Sequence, residues 1–265
     1  MKKILLVFTL ITSTGLAAKE SPRDVPCVYK AATKGGDKDF TIGISVGAGI
    51  PLLGFGSKSK IAFADTTNIN GFAKIGFHFN VNATYDLFRK IGIKLLVGGN
   101  FNSFDTKAFN GIYSVSAGPS IYLSKATTHY TGQYLIGPTT TFVVGAASLY
   151  FKFYALLGMT TSTFAATTQL IPSGSAQAEI TTQLKTAKAL GYSVGTGVGF
   201  GLGHKMSLFF NAAYLGSNFT YPGYTKTVSG FTSPYTAQNG TFSYNSERKM
   251  SLGLINISAE FCFTF

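Results

Sequence analysis

Residues 73 to 87 read AKIGFHFNVNATYDL. Ile75, Phe77, Phe79, Val81, Ala83, Tyr85 and Leu87 fall on one parity, and Lys74, Gly76, His78, Asn80, Asn82, Thr84 and Asp86 on the other. Alternate residues of a β-strand share a face, whereas a helix would spread the same apolar side chains round its circumference. The segment is therefore a strand, and its fifteen alternating positions far exceed the usual five or six. One face is greasy and the other polar.

The pattern recurs at residues 40–50, 91–104, 149–163, 190–202, 206–220 and 249–265, with a weaker example at 133–145. That makes eight strands. In 190–202 the apolar parity opposes five glycines and a serine. Links between strands alternate in length. Short ones fall at "DLFRKIG", "VGAAS" and "GLGHKM", and long ones at about 51–70, 105–132, 164–189 and 221–247. Residues 109–123 also alternate and compete with 133–145 for the fourth position. The later segment keeps the second short link short, and the earlier one then forms a hairpin above the barrel. A ten-stranded closure stays open.

Composition says which solvent such strands meet. Charged residues are 12% of the chain, about half the roughly 25% of soluble domains. No apolar run reaches the roughly 18–20 residues of a transmembrane helix. The fold expected is all-β: a transmembrane, antiparallel, up-and-down barrel spanning 40–265, with short turns at one end and long loops at the other. Closure pairs every backbone group, as a bilayer requires. Residues 1–18 read as a signal peptide, with Lys2 and Lys3 before the apolar "ILLVFTLI" and small residues at "GLAA". Residues 19–39 then form a periplasmic segment. Half of the net charge of +12, +6, lies on strands and short turns, and none of the charge gathers in the stripe that nucleic acid demands. Lipid phosphates, including those of lipopolysaccharide, are its natural partners.

The chain ends SAEFCFTF, with Phe261, Phe263 and Phe265 on one parity. This ending resembles the assembly signal of outer-membrane barrels, which the barrel-assembly machinery recognises. The signal peptide, the eight strands and this terminus together resemble the eight-stranded outer-membrane barrel family of the OmpA-transmembrane and opacity-protein type. The stretch GFAKIGFHFNVNATYDLFRKIGIKLLVGGNFNSF is similar to a hairpin of outer-membrane β-barrel proteins in Bacteroidetes-type bacteria. The resemblance implies a Gram-negative outer-membrane location and leaves activity open. The chain has no Trp, so any aromatic girdle must be Tyr and Phe.

An eight-stranded barrel is filled by its own side chains. Inward parity assigns Lys74, His78, Asp86, Lys94, Lys152 and Glu260 to a polar plug, in the company of Asn80, Asn82, Tyr154, Asn211 and Cys262. Such a set reads as a buried ion-pair network or as a cation-lined pore. Catalysis has little to stand on: His78 faces inward, His204 lies in a short turn, and His129 sits in a long loop with Asp105. No acidic cluster suits calcium, no His/Cys spacing suits zinc, and no cofactor is implied. Cys27 and Cys262 both belong at the periplasmic end, where an oxidising environment permits a disulfide. Thiol labelling of the unfolded, unreduced protein tests it, because two free thiols would refute the pair. The expected function is a non-enzymatic surface barrel presenting long loops for adhesion or envelope integrity. Alternatives are a narrow pore or small-solute transporter, with a lateral route through the glycine face of 190–202, and an accessory barrel of a secretion machine.

Overall fold

A computed structural model of the protein describes residues 39–58, 67–88, 91–113, 122–144, 149–173, 176–203, 205–230 and 239–265. Thirteen strands run in chain order: β1 (Phe40–Leu52), β2 (Gly76–Phe88), β3 (Ile91–Ser103), β4 (Tyr122–Ala126), β5 (Thr128–Val144), β6 (Leu149–Thr163), β7 (Thr167–Ser173), β8 (Ala176–Leu184), β9 (Ala187–Gly203), β10 (Met206–Tyr221), β11 (Tyr224–Ser229), β12 (Gly240–Tyr244) and β13 (Arg248–Thr264). Among the described residues two helices join them, the single turn α1 (Leu53–Gly56) and α2 (Thr106–Tyr113).

Eight of these strands close into an antiparallel barrel in the order β1-β13-β10-β9-β6-β5-β3-β2. β1 completes the ring. Its Val46 faces Ala259 of β13 on one side and Phe79 of β2 on the other. The Phe265 amide donates to the Phe40 carbonyl at 2.9 Å, which places both chain ends of the barrel beside the three short links.

The fourth barrel strand is β5, and the ten-stranded alternative falls away. Residues 106–113 form α2 instead of a strand. Asp105 is its N-cap, taking the Ala108 amide at 3.0 Å. Phe109 and Ile112, three apart, then share one helical face against Phe72 and Phe104. A short apolar run fits both periods, and here the cap and the aromatic partners decide for helix.

Where they are described, the long links carry regular structure. β12-β11-β8-β7-β4 form a second, five-stranded sheet at the long-loop end. Threonine hydroxyls meet across it, Thr168 with Thr181 at 2.9 Å and Thr227 with Thr241 at 3.1 Å. The free edge of β4 is covered by Asn110 of α2. Its amide donates to the Leu123 carbonyl at 2.9 Å, and its oxygen accepts from the Leu123 amide at 2.7 Å. A side chain thus replaces a neighbouring strand.

Two cores result. Inside the upper barrel, Leu96, Leu135, Leu156, Leu215 and Leu254 pack below Phe55, which α1 folds into the mouth. Under the sheet, Phe72, Phe104, Phe109 and Leu123 form the second core. Phe72 holds a φ of 48° there, a left-handed conformation costly for a bulky residue. Its ring contacts to Phe104 and Phe109, at 5.6 and 5.4 Å, help offset that cost.

Candidate functional site

The lower barrel is organised round one carboxylate. Glu260 of β13 is 1% exposed. Its Oε1 accepts from Lys152 Nζ at 3.1 Å and Asn82 Nδ2 at 3.0 Å, and lies 3.5 Å from Lys94 Nζ. Its Oε2 accepts from Asn211 Nδ2 at 2.6 Å, and the Cys262 thiol donates to Oε1 at 3.3 Å. Five strands converge on this group. Two buried ammonium groups share one anion, and aromatic faces supply the rest. Lys94 lies 4.6 Å from the Tyr154 ring centroid and Lys152 4.0 Å from that of Phe209.

The layer above is neutral. Gln133 Nε2 donates to Asn80 Oδ1 at 2.6 Å, and Asn80 Nδ2 to His78 Nε2 at 2.8 Å. With Nε2 accepting, His78 carries its proton on Nδ1 and donates to Asn100 Oδ1 at 3.1 Å. Between the two layers is a cavity of about 10 Å³, room for one water at most. The glycine parity of β9 is equally closed. A Cβ at Gly195 would overlap the Tyr154 ring, and one at Gly199 the Phe209 ring.

Of the residues assigned to the plug from the sequence, the structure brings Lys94, Lys152 and Glu260 together and sets His78 in the layer above. Asp86 lies at the short-turn mouth, half-buried. Lys74 is not in the plug. β2 begins only at Gly76, so parity was carried past the strand's end; the Lys74 side chain is 49% exposed and meets Asp105 at 3.6 Å. His129 is not in a loop either. It is buried at the start of β5, where its Nδ1 accepts the Ala165 amide at 3.1 Å. Cys262 is packed with Tyr150 and Phe209 and pairs with no cysteine among the described residues. Cys27, His204 and the segments 1–18 and 19–38 lie outside the described residues, and the Cys27–Cys262 pair stays a proposal. Phe261, Phe263 and Phe265 are on the outer surface.

A second site had no signal in the sequence. Between the barrel mouth and the five-stranded sheet lies a cleft of about 280 Å³. Phe104, Phe109, Phe164 and Leu184 give it apolar surface, and Lys226 and Arg248 line it with positive charge. Arg248 stands over the Tyr224 ring at 5.5 Å, and Tyr224 stacks on Tyr244 at 4.7 Å. The lining residues come from six separate stretches of chain, joined only when the long links fold. Nearby, Asp105 binds Lys58 at 2.6 Å. Burial pushes the Asp105 carboxyl up, but hydrogen bonds from Lys58 and the Ala108 amide, with the charges of Lys58 and Lys74, outweigh it and hold the group below its ordinary range.

The outer surface decides what the barrel is for its surroundings. Ile44, Val81, Leu95, Ile136, Leu157, Val194, Phe210 and Ile257, one from each barrel strand, are all 39–56% exposed. Ser45, Asn82, Lys94, Gln133, Lys152, Ser193, Asn211 and Glu260, again one per strand, are all buried. Greasy outside and polar inside is the arrangement of a protein dissolved in lipid.

The chain is a transmembrane β-barrel of the outer-membrane type. Aromatic pairs mark its two edges, Phe101–Tyr130 and Tyr192–Tyr214 towards the long loops, and Phe40–Phe265 and Phe200–Phe210 towards the short turns. No protein-family model and no curated protein matches the sequence. Some solved structures show a weak likeness. Neisserial surface protein A is 11% identical, covering 86% of this chain and 97% of its own, with a TM-score of 0.41. A major outer membrane protein from Thermus thermophilus is 9% identical, covering 87% and 100%, with a TM-score of 0.46. Ail, the attachment invasion locus protein of Yersinia pestis, is 11% identical, covering 86% and 100%, with a TM-score of 0.39. The likeness brings no activity with it.

Proposed function

We propose that this barrel is non-enzymatic and non-conducting, and that it works outside the outer membrane through the five-stranded sheet it holds there, in adhesion or envelope integrity. The observation that carries the reading is the filled interior. Conduction needs a continuous polar path, and here, among the described residues, the Glu260 cluster, the His78 layer, the leucines and Phe55 follow one another, with a gap of about 10 Å³ between the first two. A lateral route through β9 finds no support, because Tyr154 and Phe209 lie over its glycines. Catalysis finds none either. His129 is committed to a backbone amide, and Asp105 to a helix cap and Lys58.

In outer-membrane barrels the longer loops are extracellular, which puts the sheet on the cell surface. Its rigid ladder offers a fixed contact face. Phe261, Phe263 and Phe265, on the lipid side of the closing strand, fit recognition by the assembly machinery, and the basic rim residues fit lipopolysaccharide phosphates. Action in a secretion machine would depend on residues 19–39, most of which lie outside the described residues.

Planar-bilayer recording of the refolded protein tests the proposal. Silence from protein that is folded by its heat-modifiable gel mobility is expected. Reproducible open steps, altered by Lys94→Glu or Lys152→Glu, would overturn it in favour of a pore.

A further inference from the structure

We propose that the cleft between barrel mouth and sheet binds a small amphipathic anion, a carboxylate-headed molecule of medium chain length. Its hydrocarbon would lie on Phe104, Phe109 and Phe164, and its head between Lys226 and Arg248. Three features of the cleft lead there.

The first is size. At about 280 Å³ it approaches the lower end of small-molecule pockets and equals about nine liquid waters at roughly 30 Å³ each. That suits a chain of about that many heavy atoms lying within it. The second is the apolar surface. Phe104 and Phe109 belong to the packed core with Phe72 at its centre, so the surface is fixed before any ligand arrives. Phe164 extends it, in edge contact with Phe104 at 6.4 Å.

The third is charge. Lys226 and Arg248 are the charged residues lining the cleft, and neither has an ion-pair partner among the described residues. Arg248 is also pre-oriented. Its guanidinium stands over Tyr224 and donates to the Glu247 carbonyl at 3.4 Å, leaving other donors of its fork for an oxyanion. Thr182, beside Lys226 in the β8–β11 ladder, and Gln169 offer neutral partners. A cationic amphiphile would be repelled, and a neutral one would leave both charges unused.

Calorimetric titration of octanoate into the nanodisc-embedded full chain, with empty nanodiscs as blank, tests the assignment. Saturable binding of one octanoate is expected, with no saturable binding of octylamine. The paired substitution K226Q and R248Q should weaken octanoate by about tenfold or more, the loss of two charge-assisted contacts. Thr182→Trp, which puts an indole into the cleft, should abolish binding while gel mobility stays that of the folded barrel. Failure of octanoate to saturate, equal binding of octylamine, or indifference to K226Q and R248Q would each overturn the inference. None of these outcomes bears on conductance, so this inference and the non-conducting reading fail separately.

Discussion

Glu260 ties four other strands to β13, through Asn82, Lys94, Lys152 and Asn211. Lys94 and Lys152 approach it from β3 and β6, and all three residues are buried. Removing one partner of a buried ion pair typically costs about 3–5 kcal/mol, because the remaining charge is stranded, whereas replacing the whole set by apolar groups is often neutral. Glu260→Gln keeps the shape and hydrogen-bonding capacity but leaves two ammonium groups without their anion. It should therefore lower barrel stability by about that amount, seen as a fall in the urea midpoint in liposomes. Adding Lys94→Met and Lys152→Met to Glu260→Leu should recover most of the loss. Equal stability of Glu260→Gln and the native protein would mean that water reaches the lysines, and the filled-interior reading would weaken with it.

At the scale of elements, α2 shows how one carboxylate can hold a loop. Asp105 caps the helix at Ala108 and ties it to Lys58 and Lys74. The lysines are about half exposed, so each ion pair contributes roughly 0–1 kcal/mol, and the cap about 1 kcal/mol. Because the folded carboxyl is held below its ordinary range, its contribution is fully present above the unfolded value, about 3.9. It is lost as pH falls through the folded value. Hydrogen exchange over residues 106–113, corrected for intrinsic rates, should stay slow from neutrality to about pH 5 and quicken below about pH 4. Asp105→Asn, which can still accept at the cap, should lose that pH dependence, and Asp105→Ala should exchange fast throughout. An unchanged acid profile in Asp105→Asn would show that another group carries it.

The same elements mark where the sequence was legible. Barrel strands announce themselves because lipid and interior impose opposite polarity on successive residues, as from Ile75 to Leu87. Lys94, Lys152 and Glu260 can be placed from parity alone. The sheet of β4, β7, β8, β11 and β12 cannot, since water meets much of both its faces and threonine serves either. Lys74 misled because parity says nothing of where a strand stops. The cleft was out of reach altogether: Phe109 sits on a helix whose cap is Asp105, and Arg248 gains its meaning only beside Tyr224.

The molecule as a whole is a lipid-soluble barrel and a water-facing sheet joined at the mouth, each with its own core. The β10–β13 ladder runs unbroken from Met206 opposite Phe263 to Tyr221 opposite Arg248, and none of its pairs involves β11 or β12. Barrel closure should therefore survive loss of that hairpin. Replacing residues 224–244 by a short turn is expected to leave heat-modifiable gel mobility and electrical silence intact. It should abolish octanoate binding, because Lys226 goes and Arg248 loses the ring beneath it, and it should abolish whatever surface attachment the native protein confers on cells. A shortened chain that failed to close would show that the sheet nucleates the barrel. One that closed and still attached would move the working surface to β4, β7 and β8, the part of the sheet the deletion leaves behind.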